Sequence, residues 1–129
     1  MNNSSDDPAV AHCVDYARRL SDLACSFDWR PVAQLAEELR RCSSEDKQVF
    51  LAGNGGSAGN AVHLANDFLG AVTSCKGTGI RVHALPANVS VLTCLANDVG
   101  YESIFSLQLG VLARAGDVLV VFSGSGNSP

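Results

Sequence analysis

Two loops rich in glycine and serine each follow a short apolar run, and their residue types suit a phosphate group. A strand that leads into a small-residue loop and then a helix offers backbone N–H groups, hydroxyl donors and the positive end of the helix. Two such loops in one small domain predict a phosphorylated ligand held between strand ends. For the first loop alone, a plain turn between strand and helix is the alternative, because Asn and Gly are common there. The loops are Gly53-Asn54-Gly55-Gly56-Ser57 and Ser123-Gly124-Ser125-Gly126-Asn127-Ser128.

His63 and Asp67 follow the first loop on a helix that we expect Ser57 to cap. Their spacing of four residues places them on one face of that helix, and His63 lies within ~10 Å of Ser57 by helix rise. A histidine and a carboxylate there could bind a metal ion. They could also transfer protons to a substrate whose phosphate sits in the loop. An ion pair on the helix surface or a core histidine are the structural alternatives, and the spacing leaves these readings open.

A third polar group, Asn97-Asp98, follows a short apolar segment and precedes Gly100. It is a reasonable helix stop, because Asn often adopts the left-handed conformation. It could equally direct polar groups to the hydroxyls of a sugar. The other two histidines, His12 and His83, are predicted to be structural.

The elements that must position these residues alternate between helix and strand. Such alternation predicts a doubly wound parallel sheet with helices on both faces. Residues 49–52 form a continuous apolar run, which is typical of a buried parallel strand. The predicted helices are 8–24, 29–44, 57–70, 90–96 and 101–114, the predicted strands are 49–52, 80–85 and 118–122, and a loop is predicted at 72–79.

Composition excludes several function classes. The chain has 129 residues, 47% of them hydrophobic and 17% charged, and a net charge of −4, which fits one globular domain and gives no reason to expect nucleic-acid binding. No apolar run approaches the ~20 residues of a membrane span. The polar, acidic start predicts no signal peptide and a cytoplasmic location. Five cysteines without a CxxC pair predict buried, reduced thiols rather than disulfides or metal ligands.

The second loop ends at Pro129, and proline is favoured in the first turn of a helix. Three strands are also few for an open α/β sheet. We therefore expect this sequence to be the first part of a longer domain.

Taken together, these motifs resemble the sugar isomerase (SIS) domain and, within it, the phosphoheptose isomerase family. The resemblance runs from about residue 49 to residue 129, so it divides the chain into an N-terminal helical segment, 1–47, and an SIS domain, 48–129. It implies a three-layer α/β/α sandwich and homotetramers whose active sites are built from neighbouring subunits. The residues that carry it are those of the two loops, His63, Asp67, Asn97-Asp98-Val99-Gly100-Tyr101 and Gly116-Asp117-Val118-Leu119.

The resemblance implies an enzyme that converts sedoheptulose 7-phosphate to D-glycero-D-manno-heptose 7-phosphate through an enediolate. His63 and Asp67 match a zinc-ligand histidine and a carboxylate that serves as ligand or base, so both are expected to be catalytic and to bind zinc, one ion per subunit. The implied substrate-binding residues are Asn54, Gly55, Gly56, Ser57, Asn97 and Asp98, with Ser123, Gly124, Ser125 and Ser128 as the phosphate cradle.

The sequence departs from the family pattern in three ways. The family base is commonly Glu, whereas Asp67 is shorter by one methylene. Gly124 stands where the family often has a threonine. Helices beyond this point of the family sequence supply a second histidine, so we expect an active isomerase only where that part accompanies this chain.

A non-catalytic SIS module is the alternative function. Such proteins bind a sugar phosphate for regulation, or bind another protein, and they tend to lose the carboxylate on the helix. Because Asp67 keeps a carboxylate at that position, the sequence favours the enzyme.

Overall fold

The computed structural model describes residues 7–75 and 79–127. The chain divides into two compact units, Met1–Gln34 and Leu35–Pro129. The division falls within the second helix rather than at residue 47, and the predicted domain boundary stays a prediction.

The first unit holds helix α1, Pro8–Ser26, and the start of helix α2, Arg30–Ser44. The Asp7 carboxylate accepts a hydrogen bond of 2.9 Å from the Ala9 N–H, which caps α1 in the predicted way. No residue of α1 is buried. Its apolar stripe is instead exposed, at Val10, Val14, Leu20 and Leu23.

The second unit is built on a three-stranded parallel sheet in the order β2-β1-β3. The strands are β1, Gln48–Gly53, β2, Arg81–Ala84, and β3, Val118–Phe122. All residues of β1 except the first are buried, as expected for a central strand with neighbours on both sides. The predicted doubly wound parallel sheet is therefore confirmed.

Helices cover both faces of this sheet. Successive side chains of β1 point to opposite faces, so its apolar residues must be covered on both sides. On one face, Val49 and Leu51 pack with the end of α2 and with α3, Gly56–Cys75. On the other face, Phe50 and Ala52 pack with Leu85 and with α5, Ser106–Leu112. Between β2 and α5 lies α4, Val89–Asp98. The result is the expected α/β/α arrangement.

Three predicted boundaries were wrong. Helix α3 continues to Cys75, through residues predicted to form a loop, because a single glycine such as Gly70 costs a helix only about 1 kcal/mol. Strand β2 ends at Ala84, and a 3-10 turn, Leu85–Ala87, buries Leu85 and Pro86. The predicted helix 101–114 is broken into a 3-10 turn, Tyr101–Ser103, and α5.

The cysteine prediction was partly wrong. Cys42 is buried, whereas Cys13, Cys25 and Cys94 are exposed, and these four cysteines are free. Cys13 and Cys25 are exposed because α1 buries none of its residues. Within the described residues, no helix is long and apolar enough to cross a membrane, and the cytoplasmic location stays a prediction.

Candidate functional site

The two glycine- and serine-rich loops meet in one cavity. Strands β1 and β3 are paired up to their last residues, Gly53 and Phe122, so the loops that follow them leave the same edge of the sheet. Between them lies a cavity of about 350 Å³, to which Phe105 and Val121 also contribute. The loop residues that line it are Gly53, Asn54, Ser57, Ser123, Gly124 and Gly126.

This cavity lies where the direction of chain winding changes. The helix that follows β1 packs on one face of the sheet, whereas the helix that precedes β3 packs on the other. In open α/β sheets, the crevice at the carboxyl ends of the strands at such a switch point is where ligands bind. The structure thus brings the two loops together, and the phosphate between them stays a prediction.

The first loop turns tightly into α3. A Cβ atom on Gly53 would lie 2.7 Å from the Ser57 carbonyl oxygen, so this close approach requires glycine. Gly55 adopts φ +56°, a left-handed conformation that glycine reaches without strain. The helix begins at Gly56, one residue earlier than the predicted cap at Ser57, and its positive end lies beside the cavity.

The second loop is closed by its own serine side chains. The Gly126 N–H donates to Ser123 Oγ at 3.0 Å, and the Asn127 N–H donates to Ser125 Oγ at 3.2 Å. A Cβ atom on Gly124 would meet no atom within 4 Å, so the close packing that requires glycine at Gly53 is absent at Gly124. Ser128 lies outside the described residues.

A second, smaller cavity of about 180 Å³ adjoins the first loop. Asn54 lines both cavities, and Tyr101 lines the smaller one. The Tyr101 hydroxyl donates to Asn54 Oδ1 at 3.0 Å, which connects the loop after β1 to the turn after α4. Neither Tyr101 nor Phe105 was predicted to be a site residue from the sequence. The available signal was their helical spacing directly after the polar pair Asn97-Asp98.

Asn97 and Asp98 are exposed at the end of α4 and bond to each other. Asn97 Nδ2 donates to Asp98 Oδ1 at 2.7 Å, and the Cys94 thiol donates to Asp98 Oδ2 at 3.3 Å. These two hydrogen bonds, the one from Asn97 first, lower the pKa of Asp98, while the Asp98 carboxylate raises the pKa of Cys94. Neither Asn97 nor Asp98 lines the two cavities described above, so their contact with a substrate stays a prediction.

His63 and Asp67 share one face of α3, with His63 Nε2 3.5 Å from Asp67 Oδ2. Their side chains are 78% and 53% exposed. They lie across the helix from Ala61 and Ala65, which are buried in the sheet-facing core. The pair therefore has the geometry of a surface contact between a histidine and a carboxylate, and it lines neither cavity.

The donor atoms near His63 do not complete a zinc site. A zinc ion in a protein takes three or four protein ligands, and His63 with Asp67 supplies two. Within residues 7–75 and 79–127, no group of three or more His, Cys, Asp or Glu side chains is close enough to hold a metal ion.

A larger cavity, of about 550 Å³, lies between α4 and α5 and contains none of the predicted site residues. Its lining is mostly aliphatic, with His83 among the few polar groups. The His83 ring lies 6.1 Å from the ring of Phe50, so His83 is placed against the core of the sheet.

Comparison with known proteins finds a protein family whose model matches this chain. A family model described as the SIS domain matches residues 13–129. A phosphoheptose isomerase from Desulfovibrio desulfuricans is 36% identical over 129 residues, covering 100% of this chain and 60% of that protein. A phosphoheptose isomerase from Neisseria gonorrhoeae is 41% identical over 98 residues, covering 76% of this chain and 49% of that protein. The chain thus spans about half to three-fifths of the length of these curated relatives.

Two solved structures have the same fold. The phosphoheptose isomerase structure from Neisseria gonorrhoeae gives a TM-score of 0.79 at 36% identity, covering 93% of this chain and 61% of that chain. The phosphoheptose isomerase structure from Francisella tularensis gives a TM-score of 0.82 at 25% identity, covering 98% of this chain and 65% of that chain.

Proposed function

This chain belongs to the SIS domain family, and we propose that it forms the substrate-binding part of a sugar-phosphate isomerase. The proposed reaction converts sedoheptulose 7-phosphate to D-glycero-D-manno-heptose 7-phosphate. The observation that carries the proposal is the cavity at the switch point of the sheet, which residues of both loops line. The similarity to phosphoheptose isomerases supports the same reaction.

In this proposal, the two loops anchor the phosphate. The backbone N–H groups at the start of α3 and the hydroxyl groups of the second loop are donors to phosphate oxygens. Anchoring the phosphate orients the other end of the sugar for reaction. The proposed partner of this chain is thus a heptose phosphate.

Moving the carbonyl between C1 and C2 requires a base. The base takes a proton from one carbon and returns it to the neighbouring carbon, through an enediolate. We assign this role to Asp67, and we assign His63, 3.5 Å away, to orienting the carboxylate and exchanging protons with the sugar oxygens.

The side chains of His63 and Asp67 are exposed, and neither lines the loop cavity. The proposal therefore also includes a homo-oligomer in which neighbouring subunits complete each site. This oligomer is expected to be a tetramer. Zinc is part of the proposal only as an ion that His63 and Asp67 would hold together with donors from outside the described residues. It would stabilise the negative charge of the enediolate.

The test is isomerisation of sedoheptulose 7-phosphate in D₂O by the full-length gene product that contains this chain. We expect the aldose product to form and to carry deuterium at the carbon that accepts the proton, as measured by NMR. Asp67→Asn should lower the rate by at least about 10²-fold, the contribution typical of a general base. Asp67→Glu, which restores the usual length, should raise it by up to about 10²-fold.

Asp22→Asn is the matched control, because it removes an exposed carboxylate from α1 rather than from α3. Its rate should equal that of the wild type. If sedoheptulose 7-phosphate gains no deuterium and gives no product, with or without added zinc, the isomerase proposal is wrong.

The exposed position of His63 and Asp67, away from the loop cavity, favours a second candidate. This is an SIS module that binds a sugar phosphate without converting it. For such a module, calorimetry should detect sedoheptulose 7-phosphate binding that Ser125→Ala weakens, while no deuterium enters the sugar.

A further inference from the structure

We propose that Tyr101 is a positioning residue that holds the Asn54 side chain in place at the ligand cavity. This inference rests on the proposed sugar-phosphate site. It begins from one hydrogen bond, in which the Tyr101 hydroxyl donates to Asn54 Oδ1 at 3.0 Å. The two residues are 47 positions apart in the chain, so the bond joins two segments that the fold brings together.

Asn54 is the loop residue that this bond can most affect. It lines both cavities beside the first loop. Its backbone is already fixed, because its carbonyl oxygen accepts from the Ser57 N–H at 3.0 Å. The side chain has no such constraint apart from Tyr101, since it makes no other hydrogen bond within the described residues.

The direction of the bond decides what Asn54 offers to a ligand. An asparagine side chain ends in one oxygen acceptor and one NH₂ donor. With the oxygen occupied by Tyr101, the NH₂ group is the one that remains for a ligand. Phosphate, carbonyl and hydroxyl oxygens all accept hydrogen bonds, so this orientation matches an oxygen-rich anion such as a sugar phosphate.

Tyr101 itself lies in a hydrogen-bonded turn. The Ser103 N–H donates to the Gly100 carbonyl at 3.1 Å, and the Ile104 N–H donates to the Tyr101 carbonyl at 3.3 Å. Ile104 is 4% exposed, which anchors the turn in the core. Tyr101 as a whole residue is 59% exposed, so burial of its side chain is not its main contribution.

A double-mutant cycle on the full 129-residue chain tests the proposal. Affinity for sedoheptulose 7-phosphate would be measured for the wild type, Tyr101→Phe, Asn54→Ala and the double variant. Tyr101→Phe keeps the ring and removes only the hydroxyl, and it should weaken binding by about 2- to 10-fold, as expected for one hydrogen bond. In the Asn54→Ala background the same change should have no effect, because no amide is left to orient.

Tyr16→Phe is the matched control, since Tyr16 on α1 is also 59% exposed. It should leave the affinity unchanged. An effect of Tyr101→Phe that is equally large in the Asn54→Ala background would overturn the positioning role, because the hydroxyl would then act independently of Asn54.

A second measurement does not depend on the substrate. In the ligand-free protein, NMR relaxation of the Asn54 side-chain NH₂ should show an ordered group, and Tyr101→Phe should lower its order parameter. An unchanged order parameter contradicts the proposal. If sedoheptulose 7-phosphate fails to bind the wild type while this change is still observed, the proposed function fails and the positioning of Asn54 by Tyr101 stands.

Discussion

The shape of the first loop depends on Gly53 because glycine has no side chain. A Cβ atom there would meet the backbone carbonyl of Ser57 at 2.7 Å, and backbone in the first turn of α3 cannot move aside as a flexible side chain can. We therefore predict that Gly53→Ala lowers the free energy of unfolding by about 1–3 kcal/mol, the usual cost of overpacking. Urea denaturation, monitored by circular dichroism, measures this change in the free energy of unfolding.

Gly59 provides the control for this substitution. It lies within α3, and a Cβ atom there would have no neighbour within 4 Å. Gly59→Ala should raise the free energy of unfolding by about 0.5–1 kcal/mol, because alanine is the better helix former. Equal effects of the two substitutions would show that the close approach at Gly53 does not limit stability.

At the scale of elements, Asp117 connects the beginnings of two strands. Its carboxylate accepts from the Gln48 N–H at 2.9 Å and from the Arg114 N–H at 2.7 Å, so it joins the start of β1 to the turn before β3. These hydrogen bonds, the one from Gln48 first, lower the pKa of Asp117. A carboxyl group whose pKa is lowered by folding stabilises the folded state at pH values above its unfolded-state pKa, about 3.9.

We predict that Asp117→Asn destabilises the protein at neutral pH, because the amide keeps only one of the two oxygen acceptors. The difference from the wild type should shrink as the pH falls below about 3.9 and through the folded-state pKa, since the wild-type carboxyl group then becomes protonated. Thermal unfolding between pH 2 and pH 7 measures this difference.

Asp22→Asn is the control, because it removes a carboxylate without affecting β1 or β3. A difference between Asp117→Asn and the wild type that stays constant over the whole pH range would contradict the role assigned to the charged carboxylate.

At the scale of the whole molecule, the exposed stripe on α1 is the feature that the proposed oligomer must explain. We predict that Leu20→Lys, in the middle of the stripe, raises the dissociation constant of the oligomer by roughly 10- to 100-fold. Burying a leucine side chain contributes about 1.5–3 kcal/mol, and each 1.4 kcal/mol corresponds to a factor of ten. Sedimentation equilibrium measures the constant.

Ala11→Lys introduces the same charge on the opposite side of α1 and should change the dissociation constant by less than about twofold, since it buries no apolar surface in the oligomer. A wild-type chain that stays monomeric at high concentration, or two variants that dissociate equally, would exclude α1 as the contact between subunits.

The sequence by itself determined the kind of sheet and the position of its loops. The apolar run at residues 49–52 predicted a buried strand, and the structure buries every residue of β1 after Gln48. Such features depend on residue types within a few positions of one another. The spacing of His63 and Asp67 was also enough to place them on one helix face, because the helical repeat is local.

Only the tertiary structure decided which way that face points and where the helices break. The rotation of α3 about its axis is set by packing Ala61 and Ala65 against the sheet, and this leaves His63 in solvent. The segment from Tyr101 onward has a helical pattern, yet burying Ile104 in the core interrupts it. The bond from Tyr101 to Asn54 likewise joins residues 47 apart. These outcomes depend on contacts between segments that are distant in the chain. The energies of such contacts cannot be read from a local pattern of residues.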